Sequence, residues 1–168
     1  MKLKKALAAL LLAVLLMNLG SFGVAESDTA APDFTVTDTD GNNIKLSDLL
    51  DGKPLIFNIW ASWCPPCVGE LPHFEQAAKE YADRVTFMMI NLTDGYQETL
   101  SIAKSFLSQN GYTFPAYFDT EGEASDLYLG QYIPITWFIN ADGTLLGYIE
   151  GAMDRDTLYQ CIDMLLEG

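Results

Sequence analysis

Residues 54–67 read PLIFNIWASWCPPC and join two patterns in one short stretch. The segment Pro54–Trp60 is a compact apolar run, which is typical of a strand buried on both faces. A Cys-Pro-Pro-Cys sequence follows at once, and proline suits the first turn of a helix because its missing N–H would have no partner there. The stretch therefore predicts a buried strand that ends at two cysteines, followed by a helix over 65–82.

The spacing of the two cysteines predicts redox chemistry. Cys64 would lie at the start of the helix, where unpaired N–H groups carry partial positive charge, so its pKa should fall below the value of about 8.5 for free cysteine. Cys67 would lie one turn along, close enough to form a disulfide. In this interpretation Cys64 is the exposed attacking sulfur and Cys67 resolves the mixed disulfide. The alternatives are a static disulfide, or half of a zinc site completed by Cys161 and His73.

Composition limits the other classes of function. The chain has 168 residues, which fits one ordinary domain, and 49% of them are hydrophobic, which excludes disorder as the general state. Its net charge is −14, and no cluster of Lys and Arg occurs after Lys5. Nucleic-acid binding is therefore not expected, because it depends on neutralising phosphates with cationic side chains.

The first 25 residues have the three parts of a secretory signal. Lysines at positions 2, 4 and 5 precede an apolar run over 6–17, and Gly23-Val24-Ala25 supplies small residues for cleavage. Extended to Ala25, the apolar segment is long enough to serve as an uncleaved anchor. We expect residues 26–32 to be a flexible leader and residues 33–168 to be the working domain, located outside the cytoplasm as a secreted, periplasmic or cell-surface protein.

Strands and helices alternate in the rest of the chain. Turn signals and apolar spacing predict a hairpin over 34–46 with a helical turn capped by Ser47, strands over 85–92, 115–118, 135–139 and 144–149, helices over 98–109 and 121–129, and a last helix opened by Asp154 or Asp156. This order indicates an α/β fold with a mixed central β-sheet flanked by helices.

The stretch Asn58–Cys67, together with Glu70 and Pro72, resembles the thioredoxin superfamily, and most of all the TlpA/ResA-type extracytoplasmic thiol-disulfide oxidoreductases. The resemblance covers residues 32–168 in the order of their elements. It implies a thioredoxin fold with an added N-terminal β-hairpin and a helical insertion at Gln97–Leu129, between the first two βαβ strands.

The resemblance also implies roles for single residues. Pro134 matches the cis-proline that faces the cysteines, and the backbone of Ile133 would then pair with an extended substrate. Glu70 would tune the cysteine pair as its proton acceptor, since Asn58 stands where thioredoxins proper carry a buried acid. The alternative for Glu70 is a solvated helix carboxylate. Trp63 would shield the disulfide and contact partners, or would simply pack.

The resemblance implies dithiol-disulfide exchange that reduces disulfides in exported proteins, for instance in apocytochrome c. The implied partners are those substrates and a membrane electron-donor protein, and we expect a monomer that needs no cofactor or metal. Two alternatives are a copper(I)-binding chaperone on the same fold and a disulfide-forming oxidase. We expect His73 to be a partly exposed helix residue and Cys161 to be an inert core thiol.

Overall fold

The computed structural model describes residues 22–23 and 29–167. The predicted signal segment and the start of the leader therefore lie outside the described residues, apart from Phe22 and Gly23. The described end of the leader is attached to the domain: Leu145 N–H donates to Thr29 O at 2.9 Å, and Ala31 N–H donates to Gly143 O at 3.0 Å. Within these described ranges, no helix has both the length and the apolar character that crossing a membrane requires.

In the described part of the chain, eight strands form one mixed sheet. They are β1 (Phe22–Gly23), β2 (Thr35–Thr37), β3 (Asn43–Lys45), β4 (Leu55–Trp60), β5 (Thr86–Asn91), β6 (Ala116–Phe118), β7 (Ile135–Ile139) and β8 (Leu145–Glu150). Their order across the sheet is β1-β8-β7-β4-β5-β6-β2-β3. Strand β4 is central, parallel to β5 and antiparallel to β7. The predicted mixed central sheet is confirmed.

The helices flank this sheet close to their predicted positions. They are α1 (Pro65–Glu80), α2 (Leu100–Asn110), α3 (Glu123–Leu127) and α4 (Arg155–Glu167), with short 3-10 helices at Leu46–Leu49 and Gly130–Tyr132. Helix α2 begins later than predicted because Thr99 is its N-cap and accepts a hydrogen bond from Ile102 N–H. Of the two candidates for opening the last helix, Asp154 does so by accepting the Thr157 N–H at 2.8 Å.

Two details of the sequence interpretation are corrected. Ser47 does not cap the helical turn after the hairpin: the N-cap is Lys45, and Ser47 instead donates its N–H and hydroxyl to Asp33. The insertion at 97–129 follows the β4-α1-β5 unit rather than lying between its two strands. Within the insertion, the strand predicted over 115–118 is present as β6, which pairs in parallel with β5 and extends the sheet.

Strand β4 separates the two apolar cores and so positions the site. Every residue of the strand is buried, and alternate side chains point to opposite faces. Phe57 faces one core, where its ring packs edge-on against Tyr128 with centroids 4.9 Å apart. Ile56 and Trp60 face the other core with the cysteines of α1. Asn58 lies between those two residues on the same face, so its amide points toward α1.

Candidate active site

The two cysteines lie where β4 gives way to α1. A turn after the strand is closed by Cys64 N–H donating to Ala61 O at 3.2 Å, and Cys64 is the N-cap residue of α1. Cys64 and Cys67 form a disulfide, with their Cα atoms 5.3 Å apart. The Cys67 N–H donates to Cys64 Sγ at 3.3 Å. The first sulfur thus sits at the positive end of the α1 dipole, with a helix N–H aimed at it.

The two sulfurs differ in access, although less than the sequence interpretation expected. Cys67 is completely buried, and Cys64 is only 4% exposed. The expectation of an exposed Cys64 is therefore wrong, because most of its side chain is buried within the protein. What remains accessible of the pair belongs to Cys64.

The loop before β7 forms the opposite wall of the site. The Ile133–Pro134 peptide bond is cis, and Ile133 O lies 4.0 Å from Cys64 Sγ. Pro134 O accepts the Gly151 N–H at 2.8 Å, which ties the loop to the end of β8. Gly130 passes so close to Ser125 that no Cβ would fit there. The sequence interpretation missed Gly130, since this close approach depends on tertiary structure.

Two aromatic side chains next to the site in sequence remain exposed. Trp63, which precedes the first cysteine, is 41% exposed, and Tyr132, which precedes Ile133, is 52% exposed. The sequence analysis singled out Trp63 but not Tyr132. Both rings present apolar surface to solvent.

Glu70 lies in the core one turn beyond Cys67, and it is only 1% exposed. The interpretation of Glu70 as a solvated carboxylate is therefore wrong. Its Oε1 accepts from Asn58 Nδ2 and its Oε2 from Met153 N–H, each at 2.8 Å. Burial raises the pKa of Glu70 to about 7, and the two hydrogen bonds only partly oppose this effect. Asn58 also donates to Thr136 Oγ1 at 2.9 Å.

A second buried carboxylate, Glu98, contacts the turn that precedes the cysteines. It is fully buried, and both of its oxygens accept hydrogen bonds from Ser62. The sequence interpretation missed this residue. Glu98 belongs to a polar loop with no recognisable motif, and only the fold brings that loop to the end of β4.

The remaining candidate ligands lie apart from this arrangement. His73 is half-buried on α1, two turns beyond the cysteines. Cys161 is a free thiol buried on α4, and burial raises its pKa to about 12. Among residues 22–23 and 29–167, no group of three or more His, Cys, Asp or Glu side chains is arranged to hold a metal ion.

Dithiol-disulfide exchange requires one sulfur that a partner can reach and a second sulfur within bonding distance of the first. Cys64 is the sulfur that retains some exposure, and Cys67 is bonded to it in the disulfide. This chemistry defines the class of thiol-disulfide oxidoreductases. The chain belongs to the AhpC/TSA family, whose model matches residues 28–147.

Individual relatives agree with this assignment. The chain is 34% identical over 133 residues to the thiol-disulfide oxidoreductase ResA of Oceanobacillus iheyensis, which covers 77% of this chain and 67% of that protein. It is 30% identical over 172 residues to the thioredoxin-like protein YneN of Bacillus subtilis, with 96% and 99% covered. The crystal structure of an exposed lipoprotein thioredoxin from Streptococcus pneumoniae superposes with a TM-score of 0.70 at 27% identity, covering 79% of this chain and 99% of that one.

These comparisons confirm the predicted thioredoxin-like fold and the predicted resemblance to ResA-type proteins. The protein is a thiol-disulfide oxidoreductase that acts on disulfide substrates by dithiol-disulfide exchange.

Proposed function

We propose that the protein works outside the cytoplasm as a reductase of disulfides in exported proteins. Cys64 is the nucleophile, Cys67 is the resolving cysteine, and Glu70 is the proton acceptor. The observation that carries this proposal is the position of Cys64 at the N-terminus of α1, where its Sγ accepts the Cys67 N–H at 3.3 Å. A thiolate at that position is stabilised by the helix dipole and by a hydrogen bond.

The exchange proceeds in two steps. The Cys64 thiolate attacks one sulfur of the substrate disulfide, so a Cys64–substrate bond forms and the substrate's own S–S bond breaks, releasing one substrate thiolate. Cys67 then loses its proton and attacks Cys64 Sγ, which releases the second substrate thiolate. The substrate gains two electrons, and the cysteine pair is left as the disulfide.

Cys67 has no contact with solvent, so its proton needs an acceptor inside the protein. Glu70 lies one turn along the same helix and is almost fully buried. Its pKa of about 7 suits proton transfer near neutrality, because a general base works best when its pKa is close to the working pH. Asn58 and the Met153 N–H hold the carboxylate in place.

The substrate would lie across the opposite wall of the site. Trp63 supplies an exposed apolar surface beside Cys64, and Ile133 and Pro134 supply backbone on the other side. An extended substrate segment pairs with the backbone of Ile133, which brings its disulfide to Cys64. The net charge of −14 makes a nucleic-acid partner unsuitable.

The charges around the two cysteines bear on the direction of exchange. A redox pair becomes a stronger oxidant when its reduced form is stabilised, as thiolate stabilisation does. The dipole of α1 stabilises the Cys64 thiolate and by itself makes the pair more oxidising. Glu70, buried one turn beyond Cys67, opposes this effect in the fraction of molecules in which it is ionised, because negative charge disfavours a neighbouring thiolate.

The cellular setting follows from the N-terminal segment and from the relatives. The signal pattern over 1–25 supports export, with the protein either released or anchored by that segment. The solved relative from Streptococcus pneumoniae is described as an exposed lipoprotein. Each turnover leaves the cysteine pair oxidised, so a reductant must restore it, and the resemblance to ResA-type proteins supports a membrane electron-donor protein in that role. The catalytic unit is a monomer.

The reduction potential of the Cys64–Cys67 pair, measured in thiol-disulfide buffers together with insulin reduction, tests the proposal. We expect a potential more negative than about −200 mV and measurable insulin reduction. A potential near the value of about −120 mV typical of a strong oxidant would favour a disulfide-forming oxidase instead. Tight copper(I) binding by the reduced protein without insulin reduction would favour a copper chaperone.

A further inference from the structure

Glu98 makes an unusual set of contacts for a buried carboxylate. Its Oε1 accepts from Ser62 N–H at 3.0 Å and from Asn91 Nδ2 at 2.8 Å, and its Oε2 accepts from Ser62 Oγ at 2.7 Å. Every partner is a donor, so both carboxyl oxygens act as hydrogen-bond acceptors.

These contacts hold the chain directly before the redox pair. Ser62 lies two residues before Cys64, inside the turn that Cys64 N–H closes on Ala61 O at 3.2 Å. Glu98 accepts hydrogen bonds from both the backbone N–H and the side-chain hydroxyl of Ser62, so it fixes the position and orientation of this turn. The turn then sets the position of Cys64, the N-cap residue of α1.

Hydrogen bonds within residues 91–98 hold Glu98 in place. Thr93 Oγ1 donates to Asn91 Oδ1 at 2.8 Å, which turns the amide nitrogen of Asn91 toward Glu98. Asp94 Oδ1 accepts three backbone N–H groups of the following turn, including that of Glu98, each at 2.8 Å. Gly95 N–H donates to Glu98 O at 3.1 Å. The carboxylate is therefore a rigid anchor.

We infer that Glu98 is a positioning residue of the redox centre, which acts through Ser62 to hold Cys64 at the N-terminus of α1, opposite Ile133. The inference rests on the proposed role of Cys64 as the nucleophile. Cys64 Sγ has two neighbours that depend on this placement, the Cys67 N–H at 3.3 Å and Ile133 O at 4.0 Å. Freeing the turn would let Cys64 move relative to both, and small misplacements of reacting groups are costly in rate.

Three variants separate the contacts of Glu98. Glu98→Ala removes all of them. Glu98→Gln keeps an oxygen for the N–H donors and offers its amide nitrogen to Ser62 Oγ, so it preserves the framework without the charge. Ser62→Ala removes only the hydroxyl bond.

Glu75, which lies on the cysteine helix α1, provides a matched control for Glu98. It accepts the N–H groups of Thr113 and Phe114 at 2.8 and 2.9 Å and also bonds the Thr113 hydroxyl, so it clamps a loop in the same way. It lies eleven residues beyond Cys64, and the loop that it holds leads into β6. Glu75→Ala therefore breaks a similar clamp away from the sulfurs.

The experiment measures two quantities for each variant of the full-length protein: the pKa of Cys64, from a thiol titration of the reduced protein, and the rate constant for reduction of the disulfides of oxidised insulin at neutral pH. Unfolding free energies are measured beside the rates. We expect Glu98→Ala to react about tenfold more slowly, Ser62→Ala to fall between it and wild type, and Glu98→Gln to stay within about threefold of wild type. Glu75→Ala should react at the wild-type rate.

The inference is overturned if Glu98→Ala reacts as fast as wild type, if Glu98→Gln is as slow as Glu98→Ala, or if Glu75→Ala is slowed equally. Should Glu98→Ala not fold, Ser62→Ala against Glu75→Ala decides by the same comparison. An unreactive Cys64 in the wild-type protein would instead overturn the proposed function. Failure of the positioning role and failure of the proposed function are therefore distinguishable.

Discussion

Asn58 and Glu70 meet in the core beside the cysteine helix, with Asn58 Nδ2 2.8 Å from Glu70 Oε1. Both side chains are almost completely buried, and the partner of the carboxyl is a neutral amide. A cation in this position would lower the pKa of Glu70, whereas an amide offsets little of the cost of burying the charge. Burial therefore keeps the pKa of Glu70 at about 7, and the hydrogen bonds from Met153 N–H and Asn58 oppose it only in part.

The first prediction concerns the stability of the oxidised protein. Burial raises the pKa of Glu70 from 4.5 to about 7, so between these values the unfolded chain ionises while the native protein stays protonated. Wild type therefore loses stability as pH rises through this window, and the loss levels off above about pH 7. Glu70→Gln lacks this loss. Between about pH 4.5 and pH 7, its unfolding free energy should therefore increase relative to that of wild type by up to about 3 kcal/mol.

Denaturant unfolding at several pH values across that window, with the cysteines oxidised, measures the difference. Glu121→Gln is the control, because Glu121 is an exposed carboxylate in the turn before α3. Its difference from wild type should stay small at every pH. A pH-independent difference between Glu70→Gln and wild type would show that Glu70 does not titrate as described.

The second prediction concerns the rate of exchange. Glu70 lies one turn beyond Cys67 and accepts its proton in the proposed mechanism, so Glu70→Gln should lose the ionisation near neutrality from the pH–rate profile of disulfide reduction. The substitution should raise the pKa of neither cysteine. Rates measured from about pH 5 to about pH 9 test this role, and identical profiles for wild type and variant would remove it.

The third prediction separates the roles of the two sulfurs. Cys64 retains some exposure and Cys67 none, so Cys67→Ser should still attack a substrate disulfide but should accumulate the mixed disulfide. Cys64→Ser should form no adduct under the same conditions. Non-reducing mass spectrometry after incubation with oxidised insulin measures both. Equal trapping by the two variants would contradict the assignment of nucleophile and resolving cysteine.

The fourth prediction concerns the third cysteine. Burial raises the pKa of Cys161 to about 12 and leaves it 4% exposed, so it should resist alkylation in the native reduced protein at neutral pH. It should become reactive only after unfolding, while Cys64 reacts first in the folded state. Peptide mapping after timed iodoacetamide treatment gives the order of modification. Early labelling of Cys161 would count against its core position.

Local signals made much of the fold predictable from the sequence. The apolar run of β4, the proline after Cys64 and the Asn110-Gly111 stop of α2 each act within a few residues, and each prediction agrees with the structure. The position of the insertion relative to the sheet was harder to predict from the sequence, because it depends on the pairing of β6 with β5.

The site was predictable in its motif but not in its surroundings. Cys64 and Cys67 can be recognised in the sequence by their Cys-x-x-Cys spacing. The burial of Glu70 could not be read in the same way, because its partners Asn58 and Met153 come from distant elements. Glu98 was missed for the same reason, since its contact with Ser62 joins residues 36 positions apart.

The whole mechanism depends on an acidic Cys64, and a titration of the Cys64 thiol in the reduced protein measures that acidity. Alkylation rates at Cys64, resolved by peptide mapping over a range of pH, give its pKa. We expect a pKa below the value of about 8.5 for free cysteine, because Cys64 Sγ lies at the positive end of α1. A pKa at or above that value would contradict it.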